Sequence, residues 1–229
     1  MTVHVTNVSE RVAANVDAIP VEPLRSQTGV YRAALKRLFD IVFVLLTAPF
    51  VVPFVALVAL VVSLDGHSPI FRQERVGKDG RRFMLWKLRT MVPGAEGLLV
   101  EHLDCNAAAR TEWDAKQKLT NDPRITRLGH ALRRTSIDEL PQLLNVLAGD
   151  MSLVGPRPMM PSQQSLYPGR AYYKLRPGIT GPWQVSQRNE SEFSERAQYD
   201  DAYNASMSFG QDLRILMKTV FAVIRGTGC

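Results

Sequence analysis

The longest feature of the hydropathy pattern is Ile41–Leu64, 24 consecutive uncharged and mostly apolar residues. A helix of that length reaches across a hydrocarbon core of about 30 Å. Pro49 and Pro53 lie near its middle. Each removes an N–H and clashes with the preceding turn, at roughly 3 kcal/mol in a regular helix, so a break is expected there. Arg25, Arg32, Lys36 and Arg37 precede the segment, and Arg72, Arg75, Lys78, Arg81, Arg82, Lys87 and Arg89 follow it. Positive charge holds a segment end on the cytoplasmic side, so both ends are drawn to one face. The pattern predicts a re-entrant helix hairpin over residues 31–66, with limbs of about 8 to 11 residues that rise only ~12–17 Å. A single crossing helix is the alternative.

Downstream the period changes. Pro69 to Met91 alternates apolar and polar positions around Gly77-Lys78-Asp79-Gly80, which predicts a β-hairpin with Phe83, Leu85, Lys87 and Arg89 on one face. Ala95 to Leu119 is rich in helix formers and predicts one helix. Asp122-Pro123 has the form of an N-cap with proline at the first helical position, starting a basic amphipathic helix through Leu132. A short apolar helix from Pro141 to Leu147 stops at Gly149, and two loops rich in proline and glycine follow, near 155–158 and 176–182. The last helix places Leu213, Leu216, Met217, Val220, Phe221 and Ile224 on one stripe, suited to a core face or to a membrane interface. The predicted fold is α+β and mainly helical: a flexible tail over 1–30, the membrane hairpin over 31–66, and a catalytic domain over 67–229.

Composition narrows the chemistry. With 229 residues a core forms without disulfides or metals. Cys105 and Cys229 are far apart and outside any metal-ligand spacing, so both read as free thiols in a reducing compartment. His4, His67, His102 and His130 are scattered, which argues against a zinc centre or a Ser/His or Cys/His pair. The first 30 residues lack the pattern of a secretory signal. A net charge of +6 and a pI of about 9.5 point to an anionic partner: nucleic acid, an acidic lipid surface or a phosphorylated small molecule.

Three clusters carry candidate chemistry. Ser136-Ile137-Asp138-Glu139 has capping-box spacing, but Pro141 would fall inside the helix so capped, leaving the acids at an irregular junction. A carboxylate there could attack phosphorus or hold magnesium, given nearby cations. In Gly149–Pro158, Arg157 lies between two prolines that fix its surroundings, so it either presents a planar donor to phosphate or pairs with the protein. In Leu175–Asn189, Arg176 precedes a Pro-Gly turn and Trp183 could stack on a base or anchor at the lipid interface.

Together, KRLFDIVF (36–43), WKLRTM (86–91), DPRITRLG (122–129), LRRTSIDELPQLLNVLAGDMSLVGPRP (132–158) and RPGITGPWQV (176–185) resemble the bacterial sugar transferase family, the small polyprenyl-phosphate hexose-1-phosphate transferases. The resemblance runs from Lys36 to Arg225 and is greatest to the short exopolysaccharide-initiating members. It implies a monotopic enzyme on the cytoplasmic face of the bacterial inner membrane, carried by a re-entrant helix and interfacial amphipathic helices. Asp138 would be the nucleophile and a contact for Mg2+, with Glu139 assisting in positioning or proton transfer. Lys87, Arg133, Arg157 and Arg176, the last in a further family motif, would hold phosphate oxygens. One departure is Ala48 before Pro49, where relatives often carry serine.

The reaction so implied moves hexose-1-phosphate from a UDP-hexose to polyprenyl (undecaprenyl) phosphate through an aspartyl-phosphosugar, releasing UMP. The implied partners are the UDP-hexose donor, the polyprenyl phosphate acceptor and membrane lipids, with no nucleic acid; homo-oligomerisation stays open. Two rivals remain. A membrane-tethered nucleic-acid or anion-binding module would use the helix pair around Thr135 as a helix-turn-helix, but Leu143, Leu144, Val146 and Leu147 leave little to read bases. A glycosyltransferase moving the bare sugar would need a metal motif such as Asp-X-Asp, which the chain lacks.

Overall fold

The computed structural model describes residues 29–186 and 192–225. The tail expected over 1–30 therefore falls almost wholly outside the described residues, as does Cys229. A π-helical turn, Tyr31–Leu35, leads into α1 (Lys36–Ser63). The hairpin follows as β1 (Ile70–Val76) and β2 (Arg82–Leu88), then α2 (Ala95–Cys105), α3 (Ala107–Lys116), α4 (Arg127–Arg134) and α5 (Gln142–Ala148). Two short parallel strands, β3 (Ser152–Val154) and β4 (Gly178–Thr180), precede α6 (Arg196–Ser206) and α7 (Phe209–Ile224). The chain is mostly helical with two small two-stranded sheets.

The break expected in the apolar segment does not end the helix, for α1 continues through Pro49 and Pro53. Proline's fixed φ is compatible with a helix, and what it removes is one ladder hydrogen bond at each site. Thr47, just before Ala48, donates its hydroxyl back to the carbonyls of Phe43 (2.9 Å) and Val44 (3.2 Å), an arrangement that bends helices. A hydroxyl is thus present one position before Ala48. Most of α1 is uncovered, with Leu46 and Phe50 71% and 79% exposed.

Both ends of α1 are fastened to the rest of the chain. At its start, Asp40 is buried and accepts from the N–H of Leu153 in β3, while Arg37 donates to the carbonyls of Val146 and Leu147 at the end of α5. Lys36 and Tyr31 both reach Asp212 of α7, at 2.6 and 2.5 Å, and Tyr203 of α6 donates to the same carboxylate at 2.6 Å. At its end, Arg89 beyond β2 donates to the carbonyl of Val62, to Asp65 and to the carbonyl of Ser68. Between these ends, Val44, Leu85, Val146, Leu153 and Ile215 build the core under the helix.

The antiparallel register pairs Ile70 with Leu88 and Val76 with Arg82, as the alternation predicts. Asn145 of α5 accepts from the N–H of Trp86 and donates to the carbonyl of Met84, so α5 occupies the free edge of β2. Three expectations change. The helix predicted over 95–119 is two helices, because Asn106 leaves the helical conformation and caps α3 through Ala109 N–H. The helix predicted from Asp122 starts at Arg127, capped by Thr126; Asp122 instead binds the backbone and guanidinium of Arg124. The second proline- and glycine-rich loop contains β4, which pairs with β3 just before the first loop, and their close approach needs a bare α-carbon: a Cβ on Gly178 would lie 2.1 Å from Gly155 N.

Asp212 is fully buried and holds a lysine ammonium and two phenols. Asp212→Ala leaves the half-buried Lys36 without its ion-pair partner and is expected to destabilise the fold by roughly 3 kcal/mol, measured by thermal unfolding in detergent.

Candidate active site

The acid pair lies on a single 3-10 turn, Ile137–Glu139, between α4 and α5. Ser136 does not cap a helix; its φ of +56° is left-handed and turns the chain out of α4 toward the acids. The junction is irregular, as expected, but Asp138 is not exposed: it retains 4% of its surface. Its carboxylate lines a cleft of about 1420 Å³.

Three sequence-predicted cations converge on this turn. Lys87, near the end of β2, pairs with Glu139 at 2.6 Å and stands 3.9 Å from Asp138. Arg133, in the last turn of α4, donates Nε to the Thr90 hydroxyl at 2.9 Å. That placement depends on Gly129, where a Cβ would lie 2.0 Å from the carbonyl oxygen of Thr90. Arg157, on the loop after β3, stands 3.8 Å from Glu139. Glu139 thus ties Lys87 and Arg157 together while Asp138 faces the cleft beside them. Arg176 does not join them: it is exposed, does not line the cleft, and donates Nε to the carbonyl of Gly149 at the end of α5.

Electrostatics follow from burial. Asp138 is pushed above the usual carboxylate range by loss of water; Lys87 opposes that, Glu139 adds to it, and Arg133 and Arg157 oppose it. Burial lowers Arg133, with Asp138 and Asp122 pulling the other way.

Two arginines in the same wall had no distinguishing sequence signal. Arg75 of β1 donates to the carbonyl of Pro158 and to Gln73, which holds the Arg157 loop against β1, and its Nε is buried without a hydrogen-bond partner among the described residues. Arg196, at the start of α6, stacks 4.1 Å from the Trp183 ring and 4.5 Å from Phe193, again with a buried Nε that has no partner among the described residues. Burial and the nearby Arg157 push Arg75 down to about 10 and Arg196 down to about 9. Several buried guanidiniums with spare donors make a seat for phosphate oxygens. Trp183 is itself 5% exposed, so it supports Arg196 and Arg157 from beneath instead of lying at a lipid surface.

The cleft changes character along its length. Away from the charged turn its walls are apolar, formed by Phe43 and Val51 of α1 and by Leu216, Val220 and Val223 of α7. On the outer side of α7, Leu213, Met217, Phe221 and Ile224 are exposed. Along the last helix Asp212 and Ile215 face the core and Leu216 packs against it, while Leu213, Met217, Phe221 and Ile224 are left uncovered.

Residues 31–226 match the family model described as bacterial sugar transferase. The chain belongs to that family. It is 45% identical over 196 residues to the UDP-galactose-lipid carrier transferase of Erwinia amylovora, covering 85% of this chain and 41% of that protein. It is 41% identical over 211 residues to the exopolysaccharide production protein ExoY of Rhizobium meliloti, covering 88% and 92%. It is 37% identical over 219 residues to the UDP-glucose:undecaprenyl-phosphate glucose-1-phosphate transferase of Escherichia coli, covering 90% and 44%. The chain therefore spans less than half of the Erwinia and Escherichia relatives and nearly all of the Rhizobium one. As a bacterial sugar transferase it is an enzyme, and the residues above lie within the matched span.

Among the described residues no three His, Cys, Asp or Glu side chains gather at one point. Magnesium needs no such cage: it commonly uses one or two carboxylates and completes its shell with water and substrate phosphate. Asp138 and Glu139 fit that donor set, whereas both oxygens of Asp122 are engaged by Arg124.

A carboxyl raised by burial favours the fold when protonated. That contribution is complete below the ordinary value of 3.8 and is lost as pH rises through the raised one. Asp138→Asn is therefore expected to unfold at a higher temperature than wild type at pH 8, with the difference shrinking toward pH 4.

Proposed function

We propose that this enzyme transfers hexose-1-phosphate from a UDP-hexose to polyprenyl (undecaprenyl) phosphate, releasing UMP and initiating exopolysaccharide synthesis at the cytoplasmic face of the bacterial inner membrane. The observation that carries the reading is Asp138, buried amid Lys87, Arg133 and Arg157 in a cleft whose far wall is the exposed apolar helix α1. The names of the Erwinia and Escherichia relatives support the donor and acceptor classes.

In the first step an Asp138 carboxylate oxygen attacks the phosphorus that bears the sugar. The bond from that phosphorus to the bridging anhydride oxygen breaks, and UMP leaves with the electron pair. The enzyme then holds the phosphosugar as an acyl phosphate. In the second step a phosphate oxygen of the polyprenyl phosphate attacks the same phosphorus, the acyl phosphate bond breaks, and the Asp138 carboxylate is restored. Lys87, Arg133 and Arg157 hold phosphate oxygens as charge shifts, Arg75 and Arg196 add donors on the nucleotide side, and Glu139 keeps Lys87 and Arg157 in place. Arg176 serves the end of α5 and takes no part. Asp138 and Glu139 would hold Mg2+, which when bound supplies neutralisation of diphosphate charge.

The acceptor lies in the membrane, so the nucleophile must sit at headgroup depth. We read α1 as re-entrant. Support comes from its two ends, one tied through Arg37 to α5 and the other through Arg89 to the strand that α5 flanks. A helix crossing the bilayer would separate ends that these contacts keep on one body. The uncovered apolar stripe of α7 adds a second surface for the same leaflet.

With a panel of UDP-sugars and polyprenyl phosphate, Asp138→Asn is expected to reduce UMP release at least ~10³-fold and to abolish lipid product. Wild-type-like release of UMP would overturn the aspartate mechanism, and release of UDP would assign transfer of the bare sugar. Because Asp138 must be ionised to attack, activity falls as pH drops through its raised value. Lys87 is the cation that most opposes that rise, so Lys87→Met is expected to move the acid limb to higher pH. In sealed membrane vesicles, cysteines introduced at residues 31 and 66 should react with an impermeant thiol reagent from the cytoplasmic side alone; labelling from opposite sides would assign a crossing helix.

A further inference from the structure

Gln184 lines the cleft and is 6% exposed, yet neither its Nε2 nor its Oε1 has a hydrogen-bond partner among the described residues. Buried side-chain amides are almost always paired, so an orphan donor and an orphan acceptor on one group point to something that binds later. The place of the amide is fixed by its neighbours. A Cβ on Gly181 would lie 2.9 Å from Gln184 Oε1 and 2.0 Å from the carbonyl oxygen of Gly155. The amide therefore sits where the segment after β4 crosses Gly155, two residues before Arg157.

We infer that Gln184 is a specificity-determining residue that reads the hydroxyl groups of the donor hexose, one hydroxyl donating to Oε1 and a neighbouring one accepting from Nε2. Chemistry selects among the parts of the two substrates. Phosphate oxygens only accept and would leave Oε1 unpaired; an isoprenoid tail can neither donate nor accept. Uracil and the ribose hydroxyls can do both, but the other phosphate of the diphosphate separates the whole nucleoside from the reacting phosphorus. The hexose is esterified directly to the phosphorus that Asp138 attacks, and Arg157, which stands beside that acid pair, is carried on the same loop as Gly155. This inference rests on the donor proposed above.

The test compares wild type with Gln184→Met, which keeps the side chain's bulk and removes both polar atoms. UMP release is followed with UDP-galactose, UDP-glucose and their singly deoxygenated analogues, together with inhibition by UMP. Gln184→Met is expected to lower kcat/KM for the preferred hexose roughly 10- to 100-fold and to erase the wild-type penalty for removing one particular hydroxyl, leaving UMP inhibition unchanged. Parallel weakening of UMP inhibition in a variant of wild-type thermal stability overturns the inference in favour of nucleoside recognition, and unchanged kinetics overturn it in favour of a solvent-filled niche. Should Gln184→Met not fold, wild type decides: tolerance of every deoxygenated donor within about twofold overturns hydroxyl reading. Failure of wild type to release UMP from any UDP-hexose would instead overturn the donor proposal itself.

Discussion

An ionisable carboxyl taken out of water next to a second carboxyl holds its place only if cations surround both. Asp138 and Glu139 meet that condition through Lys87 from a strand, Arg133 from a helix end and Arg157 from a loop. Each comes from a different element, so the charge balance of one turn constrains how β2, α4 and the loop after β3 are packed. Gly129 lets α4 close on Thr90, Arg75 pins the Arg157 loop to β1, and Asn145 holds α5 to β2.

The same balance gives the site its chemistry. Cations that offset the cost of burying Asp138 are those that would receive the charge of an incoming diphosphate. Among the described residues the Nε donors of Arg75 and Arg196 are buried and unpaired, a state that an anionic ligand in the cleft would relieve. Trp183 contributes as the surface on which a guanidinium is laid flat.

A second constraint couples this turn to the apolar helix α1. Asp212 gathers Lys36, Tyr31 and Tyr203, and Arg89 ties the other end of α1. Since Arg89 and Lys87 are two residues apart, the segment that anchors the helix also carries a cation of the site. The position of the site relative to α1 is thus set by covalent neighbourhood.

Much of this was legible from residues alone. Period-2 alternation and a Gly-flanked turn fixed the hairpin, Gly149 ended α5, and the motif order named the family together with Asp138, Glu139, Lys87, Arg133 and Arg157. Local pattern failed where side chains captured the backbone: Asn106 capped a new helix, and Asp122 bound Arg124 instead of starting one. It also missed β3 and β4, three residues each, whose pairing depends on a partner some 25 residues away. Arg75, Arg196 and Gln184 could not be singled out, since an arginine in a hairpin or a glutamine after tryptophan carries no signal of burial. The sequence by itself determined which residues were able to form a charged site beside an apolar helix, because periodicity and motif spacing are local. Which of them meet, and that Arg176 does not, only the tertiary structure decided, because charges find their partners through packing between distant segments.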